Sequence, residues 1–176
     1  MKKVLLFIVG LIALVLIIAA FVDKDYSVTR SVEIDKNKTE IFNYVKYLKN
    51  QDNFSKWANM DPDMKKSFTG VDGTVGFVSR WESEHKDVGM GEQEIMKIEE
   101  GKRIDYELRF IKPWESTSPA YFLMETTSAD KTKVTWAFEG HMDYPMNLML
   151  LFMDMEDMLG NDLQTGLDNL KGILEK

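Results

Sequence analysis

Residues 132–140 read TKVTWAFEG, and the apolar side chains of Val134, Trp136 and Phe138 occupy every second position. A period of two is typical of a β-strand with one buried face. Further along the chain the period changes, because leucines, together with Phe152 and Met155, recur at steps of three and four residues over 148–174. The pattern predicts that the last strand is followed by one amphipathic helix of about seven or eight turns.

The segment before this strand, residues 65–142, consists of short alternating runs separated by turn residues such as Asp72-Gly73. This spacing predicts an antiparallel meander. Parity assigns large side chains to the inward face of each strand except the run 91–99, where Ile95 and Ile98 have opposite parity. The side chains assigned to inward faces are Phe77, Trp81, Ile104, Tyr106, Leu108, Phe110, Phe122, Met124, Val134, Trp136 and Phe138.

One strand and two short helices are predicted before the meander. Residues 26–34 alternate between apolar and polar side chains, which favours a first strand. Asn37 and Glu40 have the spacing of a capping box, which predicts a short helix directly after it. A second short helix and a loop are predicted over 51–62. The predicted fold class is α+β, with an antiparallel sheet of about seven strands and a long C-terminal helix.

The first 22 residues form a separate unit. Residues 4–22 carry no charge, and as a helix they would span ~28 Å, close to the ~30 Å hydrocarbon layer of a bilayer. They predict a transmembrane anchor over 1–22, followed by one domain over 23–176. Lys2 and Lys3 precede the run, so the positive-inside rule places this domain on the extracytoplasmic side of the membrane.

A cleaved signal peptide is the alternative interpretation of the same residues. The paired lysines suit the charged start of such a peptide, although its apolar part is normally only ~7–15 residues long. Ala19-Ala20 provides small residues for cleavage, but Phe21 and Val22 follow at once. Cleavage would produce a secreted or periplasmic domain without a membrane segment.

The composition excludes several classes of function. The chain has 176 residues and a formal net charge of −7, and an acidic domain is not expected to bind nucleic acid. It contains no cysteine, which excludes disulfides, thiolate metal sites and cysteine nucleophiles. With 44% hydrophobic residues the domain is too apolar for disorder and can build a core. The oligomeric state is left open.

Several motifs follow one another in an order that resembles a known superfamily. Residues 31–34 followed by TEIFNYV at 39–45 suit its opening strand and helix, and GMGE at 89–92 suits its middle. The strand 132–140 followed by GLDNLK at 166–171 is the most specific pair. From about residue 26 onward, the chain resembles the START / Bet v 1-like superfamily (SRPBCC), in its polyketide cyclase/dehydrase-like branch. The resemblance implies a helix-grip fold, in which a curved antiparallel sheet wraps around the long C-terminal helix.

The resemblance also implies a hydrophobic cavity between sheet and helix, used across the superfamily for lipids, sterols, polyketides or other apolar ligands. It transfers no catalytic residue, because the superfamily has no universal catalytic motif and a fold does not fix a function. Inward rings and methionines are the candidate lining, with two tryptophans from loops at the mouth, although each can equally be an ordinary core residue. The candidate ligand-binding residues are Trp57, Phe77, Trp81, Tyr106, Phe110, Trp114, Phe122, Met124, Trp136, Phe138, Met149, Phe152 and Met153.

Half of the 12 methionines lie in one segment near the C-terminus. Met142, Met146, Met149 and Met153 are spaced to share one stripe of the predicted helix. Flexible thioether side chains suit a lining that accepts variable ligands, whereas ordinary core packing is the simpler interpretation. A copper site formed by this stripe with His141 is a third alternative, although no other histidine or cysteine lies nearby in the sequence. We expect neither a metal nor a cofactor.

Polar side chains on the predicted strands are the candidates for chemistry. A carboxylate inside an apolar cavity has a raised pKa and can transfer protons, whereas a solvated outer face of the sheet is the simpler interpretation. His85 and His141 are predicted at the surface, and no nucleophile elbow, HExxH motif or phosphate-binding loop is present. The polar candidates are Arg80, Glu92, Glu94, Asp105 and Arg109.

Three functions are compatible with these observations. The favoured one is a membrane-anchored, extracytoplasmic module that binds a hydrophobic or lipid-like molecule, with the membrane contacted through residues 4–22. The second is an enzyme of the cyclase, dehydratase or hydrolase kind, which requires a buried acid–base pair in the cavity. The third is an interaction module without a ligand, which requires an exposed apolar patch.

Overall fold

The structure is a computed structural model that describes residues 1–176. It consists of an N-terminal helix, a seven-stranded antiparallel sheet and a C-terminal helix packed against the sheet. Short 3-10 segments lie at Leu48–Asn53, Trp57–Asn59 and Met146–Leu151. The other elements are α1 (Lys2–Ala19), β1 (Asp25–Ile34), α2 (Lys38–Val45), β2 (Lys65–Thr69), β3 (Val78–Glu82), β4 (Met90–Glu99), β5 (Arg103–Lys112), β6 (Ser116–Ser128), β7 (Lys131–His141) and α3 (Met155–Leu174).

The sheet has the strand order β1-β7-β6-β5-β4-β3-β2, so that the first and last strands are neighbours. All pairs are antiparallel, and Asp25 at the start of β1 lies opposite His141 at the end of β7. The same end of the sheet carries Lys112, Met90 and Glu82, which lie at the ends of their own strands. We name it the anchor end, because α1 joins the sheet there. The predicted α+β architecture is confirmed.

A bulge in β4 explains why the run 91–99 has no single parity. Ile95 and Lys97 are paired with consecutive residues of β5, which leaves Met96 without a partner. An extra residue of this kind reverses the alternation of side chains along a strand. Ile95 is therefore fully buried and Met96 is exposed, while Ile98 packs against the core again.

The C-terminal helix is shorter than the leucine spacing predicts. α3 begins at Met155, because the Asp154 side chain accepts a 3.0 Å hydrogen bond from the backbone N–H of Asp157 and caps the helix there. The residues before this cap form the 3-10 segment Met146–Leu151. Its repeat of three residues continues the leucine spacing without continuing the α-helix. The prediction of one helix over 148–174 is therefore wrong in its first turns.

The predicted stripe of methionines is consequently not formed. Met142 lies between β7 and the 3-10 segment, Met146 and Met149 lie within that segment, and Met153 lies in the link to α3. Met146 and Met149 are 57% and 41% exposed. These side chains neither share a helical face nor fill the core.

The core lies between one face of the sheet, α2 and α3. α2 begins as predicted, because the Asn37 side chain accepts a 3.0 Å hydrogen bond from the backbone N–H of Glu40, and its Phe42 is buried. α3 approaches the sheet closely at Gly166, where an added Cβ would lie 2.7 Å from the ring of Trp136. Small residues on α3 thus allow the helix to pack directly on the sheet.

α1 stands apart from this core. It has a mean hydropathy of 2.7 and, by length and composition alone, could cross a membrane. Its side chains are exposed except at Ala19. At this end, the fully buried Asn147 donates 2.8 Å hydrogen bonds from Nδ2 to the backbone carbonyls of Ala19 and Val22. The domain therefore holds the end of α1 through one buried side chain.

Candidate ligand cavity

A cavity of about 270 Å³ lies between the sheet, α3 and the residues that follow α2. Of its 20 lining residues, 13 are hydrophobic. Six strands, β2 to β7, contribute to the wall. The lining residues are Leu48, Gln51, Asp52, Ser55, Trp57, Ala58, Met64, Lys66, Ser79, Trp81, Asp87, Val88, Gln93, Leu108, Phe110, Ala120, Trp136, Phe138, Leu159 and Leu163.

Aromatic rings form much of the wall. Trp81 and Phe110 pack edge to face with ring centroids 6.0 Å apart, and Phe110 lies 6.3 Å from Phe138. Trp57, from the second 3-10 segment, packs edge to face on Trp136 at 6.2 Å. Such contacts stabilise particular ring orientations beyond the effect of burial alone. The wall is therefore a preformed arrangement of rings.

Small side chains at inward positions leave the space between these rings. Ala120 of β6 lies between Tyr106 of β5 and Phe138 of β7 in the strand register. Gly91 of β4 lies opposite Trp81 and lets the indole ring pack over it, since an added Cβ there would lie 2.5 Å from the ring. The space at the cavity is therefore left by Ala120, which lines it. Since protein interiors are otherwise packed to high density, a small residue among large rings produces a void.

One buried amide inside the cavity has an unused hydrogen-bond donor. Gln51 is only 9% exposed, and its Nε2 has no hydrogen-bond partner. The nearby Tyr106 hydroxyl is also without a partner. Burial raises the pKa of this phenol far above its usual value, and Asp72 and Asp105 act in the same direction. An unpaired buried polar group costs ~1–3 kcal/mol, which a ligand with an acceptor atom would offset.

Charged side chains lie at the rim of the cavity. Asp52 and Lys66 form a 2.8 Å ion pair, with their side chains 40% and 23% exposed. Asp87 is exposed in the loop between β3 and β4. Lys56 and Asp162 form another ion pair, which connects the residues after α2 to α3. The cavity thus combines an apolar interior with a polar rim.

The structure brings five of the predicted ligand-binding residues to the cavity. Each is a ring on an inward strand position or at the predicted mouth. They are Trp57, Trp81, Phe110, Trp136 and Phe138. Four other predicted residues face the same side of the sheet but are at most 2% exposed, because neighbouring side chains pack against them on all sides. These four are Phe77, Tyr106, Phe122 and Met124.

The remaining four predicted residues lie outside the cavity, at the surface of the molecule. Trp114 is 80% exposed in the turn between β5 and β6. Met149 and Phe152 are 41% and 86% exposed, and Met153 is partly exposed. The last three leave the cavity because α3 begins only at Met155, so that they do not lie on the helix that covers the sheet.

Sequence reasoning missed the polar and small lining residues. Gln51 and Asp52 come from the 3-10 segment that folds over the sheet, and Lys66 comes from the edge strand β2; local periodicity does not encode that these residues meet at one cavity. Leu159 and Leu163 belong to the predicted amphipathic helix but were not assigned to the cavity. The sequence did contain one signal for the cavity. Ala120 is a small residue at an inward-facing position of its strand, where a large side chain would otherwise fill the interior.

The charged candidates on the strands lie on the other face of the sheet. The Arg109 guanidinium donates hydrogen bonds to Glu92 at 2.7 Å, to Glu107 at 2.6 Å and to Glu94 at 2.8 Å. These bonds, with the one to Glu92 foremost, raise the pKa of Arg109 above its usual value. Of the two interpretations of these charged residues, the structure therefore supports a solvated outer face of the sheet and not acid–base groups inside the cavity. The candidates outside the cavity lining are Arg80, Glu92, Glu94, Asp105 and Arg109.

Both histidines lie at the surface, as predicted. His85 is exposed in the loop between β3 and β4. At the end of β7, His141 Nδ1 lies 2.5 Å from Asp25 Oδ1, and its Nε2 lies 3.4 Å from Asp143 Oδ1. The bond to Asp25 is the main cause that raises the pKa of His141 above its ordinary value of 6.5. Nowhere in residues 1–176 do three or more His, Cys, Asp or Glu side chains form a group that could hold a metal ion.

Comparison with known proteins identifies the fold. No protein-family model and no curated protein matches the sequence. Among solved structures, truncated norcoclaurine synthase from Thalictrum flavum matches with a TM-score of 0.65 and 10% identity, over 85% of this chain and 93% of that chain. The same synthase is also known in complex with dopamine and hydroxybenzaldehyde.

Two bacterial proteins match in the same way. Protein CV1439 from Chromobacterium violaceum has a TM-score of 0.59 and 12% identity, over 85% of this chain and 97% of that chain. The Aha1 dimer from Colwellia psychrerythraea has a TM-score of 0.53 and 14% identity, over 83% of this chain and 96% of that chain. Identities this low establish a common fold and leave function open. The chain therefore has the Bet v 1-like helix-grip fold that its order of motifs predicts.

Proposed function

We propose that the chain is a membrane-anchored protein that binds a small hydrophobic molecule between its sheet and α3. The observation that carries the proposal is the cavity, with 13 hydrophobic residues among the 20 that line it. Small-molecule sites are typically concave and apolar, with a few polar groups that orient the ligand. The complex of norcoclaurine synthase with dopamine and hydroxybenzaldehyde supports the proposal, because a protein of this fold there holds small aromatic molecules.

The size and chemistry of the cavity indicate the class of ligand. A volume of about 270 Å³ is near the lower limit of the ~300–1,000 Å³ common for ligand sites. It favours a ring compound or a single acyl chain over a complete lipid with two chains. The free Nε2 of Gln51 favours a ligand with one hydrogen-bond acceptor at its buried end.

Asn147 supports retention of α1 as an anchor. A signal peptide is removed from the mature protein, so the mature domain gains nothing from a buried side chain that binds it. Asn147 donates both of its amide hydrogens to carbonyls at the end of α1, and cleavage after Ala20 would remove the Ala19 carbonyl. Lys2 and Lys3, in the first turn of α1, support an extracytoplasmic domain through the positive-inside rule.

Native mass spectrometry of the full chain in lipid nanodiscs tests ligand binding. We expect a discrete small molecule to co-purify with the wild type and to be lost from Ala120→Phe, because the new ring fills the cavity. Ala129→Phe is the matched control, since Ala129 is exposed in the turn between β6 and β7. Gln51→Leu, which removes the free donor, is expected to lower occupancy. An empty wild type, or equal occupancy in Ala120→Phe, contradicts the proposal.

An enzyme of the cyclase or dehydratase kind is the second candidate. It is favoured by one observation, the Asp52–Lys66 pair at the cavity rim. The pair is partly exposed and would act on a group of the ligand that reaches the mouth. Conversion of the co-purifying compound, lost in Lys66→Met while binding remains, would establish this function. Recovery of the compound unchanged after incubation with the wild type supports the binding function instead.

A further inference from the structure

A second apolar feature lies at the anchor end of the sheet, outside the cavity. Phe21, Met146, Met149, Leu151 and Phe152 are 85%, 57%, 41%, 56% and 86% exposed. We name these five side chains the anchor-end patch. From them we infer that residues 146–152 lie in the interfacial layer of the same bilayer that α1 spans. This inference rests on the anchor part of the proposed function.

The patch is continuous with the end of α1. Phe21 follows the helix directly, and Asn147, in the same 3-10 segment as Met146 and Met149, binds the carbonyls of Ala19 and Val22. Residues 21–22 and 150–153 also form the two sides of a shallow groove. Because an apolar spanning helix ends at the membrane surface, a segment bound to that end lies at the same depth. Its exposed side chains then meet lipid.

The charges around the patch indicate which kind of lipid surface is expected. Asp143, Asp154 and Glu156 are exposed acidic residues in or beside the segment. Lys24 is the one basic residue within 20–25 and 142–158. Attraction of basic residues to anionic lipid therefore cannot hold the segment, and burial of apolar side chains is the driving force. We expect contact with a zwitterionic bilayer, without deeper insertion when anionic lipid is added.

This placement turns the anchor end of the sheet toward the membrane. Trp114, 80% exposed, lies in the turn between β5 and β6 at that end, and tryptophan is enriched at membrane–water interfaces. Asp87 and Val88 line the cavity from the loop between β3 and β4, which lies at the same end. This part of the cavity wall therefore lies on the side of the molecule that faces the bilayer.

Spin labelling tests the inference on the full chain. The protein has no cysteine, so Phe152→Cys, Leu11→Cys and Ser128→Cys each provide one labelling site. Leu11 lies in the middle of α1, and Ser128 is exposed at the end of the sheet opposite the anchor end. In phosphatidylcholine nanodiscs, accessibility to oxygen and to a water-soluble nickel chelate reports the depth of each label. We expect the label at position 152 to be more accessible to oxygen, and less accessible to the nickel chelate, than the label at position 128. The label at position 11 should show the same preference for oxygen more strongly.

The outcomes separate this inference from the anchor proposal. A label at position 152 that resembles position 128, while position 11 is embedded, overturns the inference and leaves the anchor intact. A label at position 11 that the nickel chelate reaches overturns both. Protection of position 152 from both reagents, with dipolar broadening, would show that a second copy covers the patch and would also overturn the inference. Leu151→Cys repeats the test at a neighbouring site if Phe152→Cys does not fold.

Discussion

Single glycines set how closely α3 approaches the sheet. At Gly166, an added Cβ would lie 2.7 Å from the Trp136 ring and 3.5 Å from the carbonyl of Phe54. Gly172, on the same helix, has no atom within 4 Å of the equivalent position. A substitution at Gly166 therefore changes both packing and helix propensity, whereas the same substitution at Gly172 changes helix propensity alone.

We predict that Gly166→Ala lowers the free energy of unfolding by up to about 2 kcal/mol. Overpacking costs ~1–3 kcal/mol, and the ~1 kcal/mol gained in helix propensity offsets part of that cost. Gly172→Ala is the matched control and should stabilise the protein by up to ~1 kcal/mol. Urea unfolding of the full chain in detergent micelles, followed by tryptophan fluorescence, measures both. Stabilisation by both substitutions would contradict the close contact at Gly166.

The alternation of side chains along a strand could predict which residues face the interior. It could not predict which of those residues border the cavity. Trp81, Phe110 and Phe138 were predicted to face inward because alternation along a strand is a local property. Whether an inward ring borders a void depends on residues of other strands, such as Ala120 beside Phe138. That arrangement depends on strand register, which residues distant in the sequence determine.

At the scale of elements, boundaries depend on single side chains. The apolar spacing near the C-terminus passes through the junction at Asp154 without interruption, because 3-10 and α-helical repeats are similar over short lengths. The carboxylate of Asp154 caps α3 and so determines where the α-helix begins, whereas the 3-10 segment already ends at Leu151. The spacing of apolar residues therefore could not predict the residue at which α3 begins. It could predict that a C-terminal helix exists and which of its faces is apolar.

The pairing of β1 with β7 should depend on pH through His141. Its pKa in the folded protein is raised above 6.5 by the bond to Asp25. Its contribution to stability is therefore complete below the unfolded-state pKa and is lost as the pH rises through the raised folded-state pKa. We expect the difference in unfolding free energy between wild type and His141→Gln to be constant at acidic pH and to shrink above neutrality.

Urea midpoints over a series of pH values measure this effect. Asp25→Asn, which removes the main partner of the imidazole, should abolish most of the same pH dependence. A difference between wild type and His141→Gln that does not change with pH would show that the ion pair makes no contribution.

For the whole molecule, the order of elements was the most predictable property. The apolar run, the first strand, the turns of the meander and the final helix are each encoded locally. Their order resembles one fold, and the structure confirms that fold. The joint between α1 and the domain was not predictable, because it depends on Asn147, which lies far from α1 in the sequence.

We predict that the chain in cells keeps its N-terminal helix. After alkaline washing, the protein should remain in the membrane fraction with an intact mass that includes α1. The physical reasons are the length of the uncharged run, residues 4–22, and the bulky Phe21 and Val22 directly after Ala19-Ala20. The Asn147 hydrogen bonds to Ala19 and Val22 then hold the retained helix on the folded domain. Mass spectrometry of the membrane and soluble fractions measures this directly. A mature protein that begins near Phe21 or Asp23 would show cleavage and contradict the prediction.

The pairing of the first strand with the last has a consequence for synthesis. β1 leaves the ribosome immediately after α1, yet its hydrogen-bonding partner, β7, is about a hundred residues further along the chain. At ~5–20 residues per second, β1 waits on the order of 5 to 20 s for that partner. The sheet is completed only after β7 has been synthesised, so a ribosome that stops before residue 131 leaves a chain in which β1 is an unprotected strand.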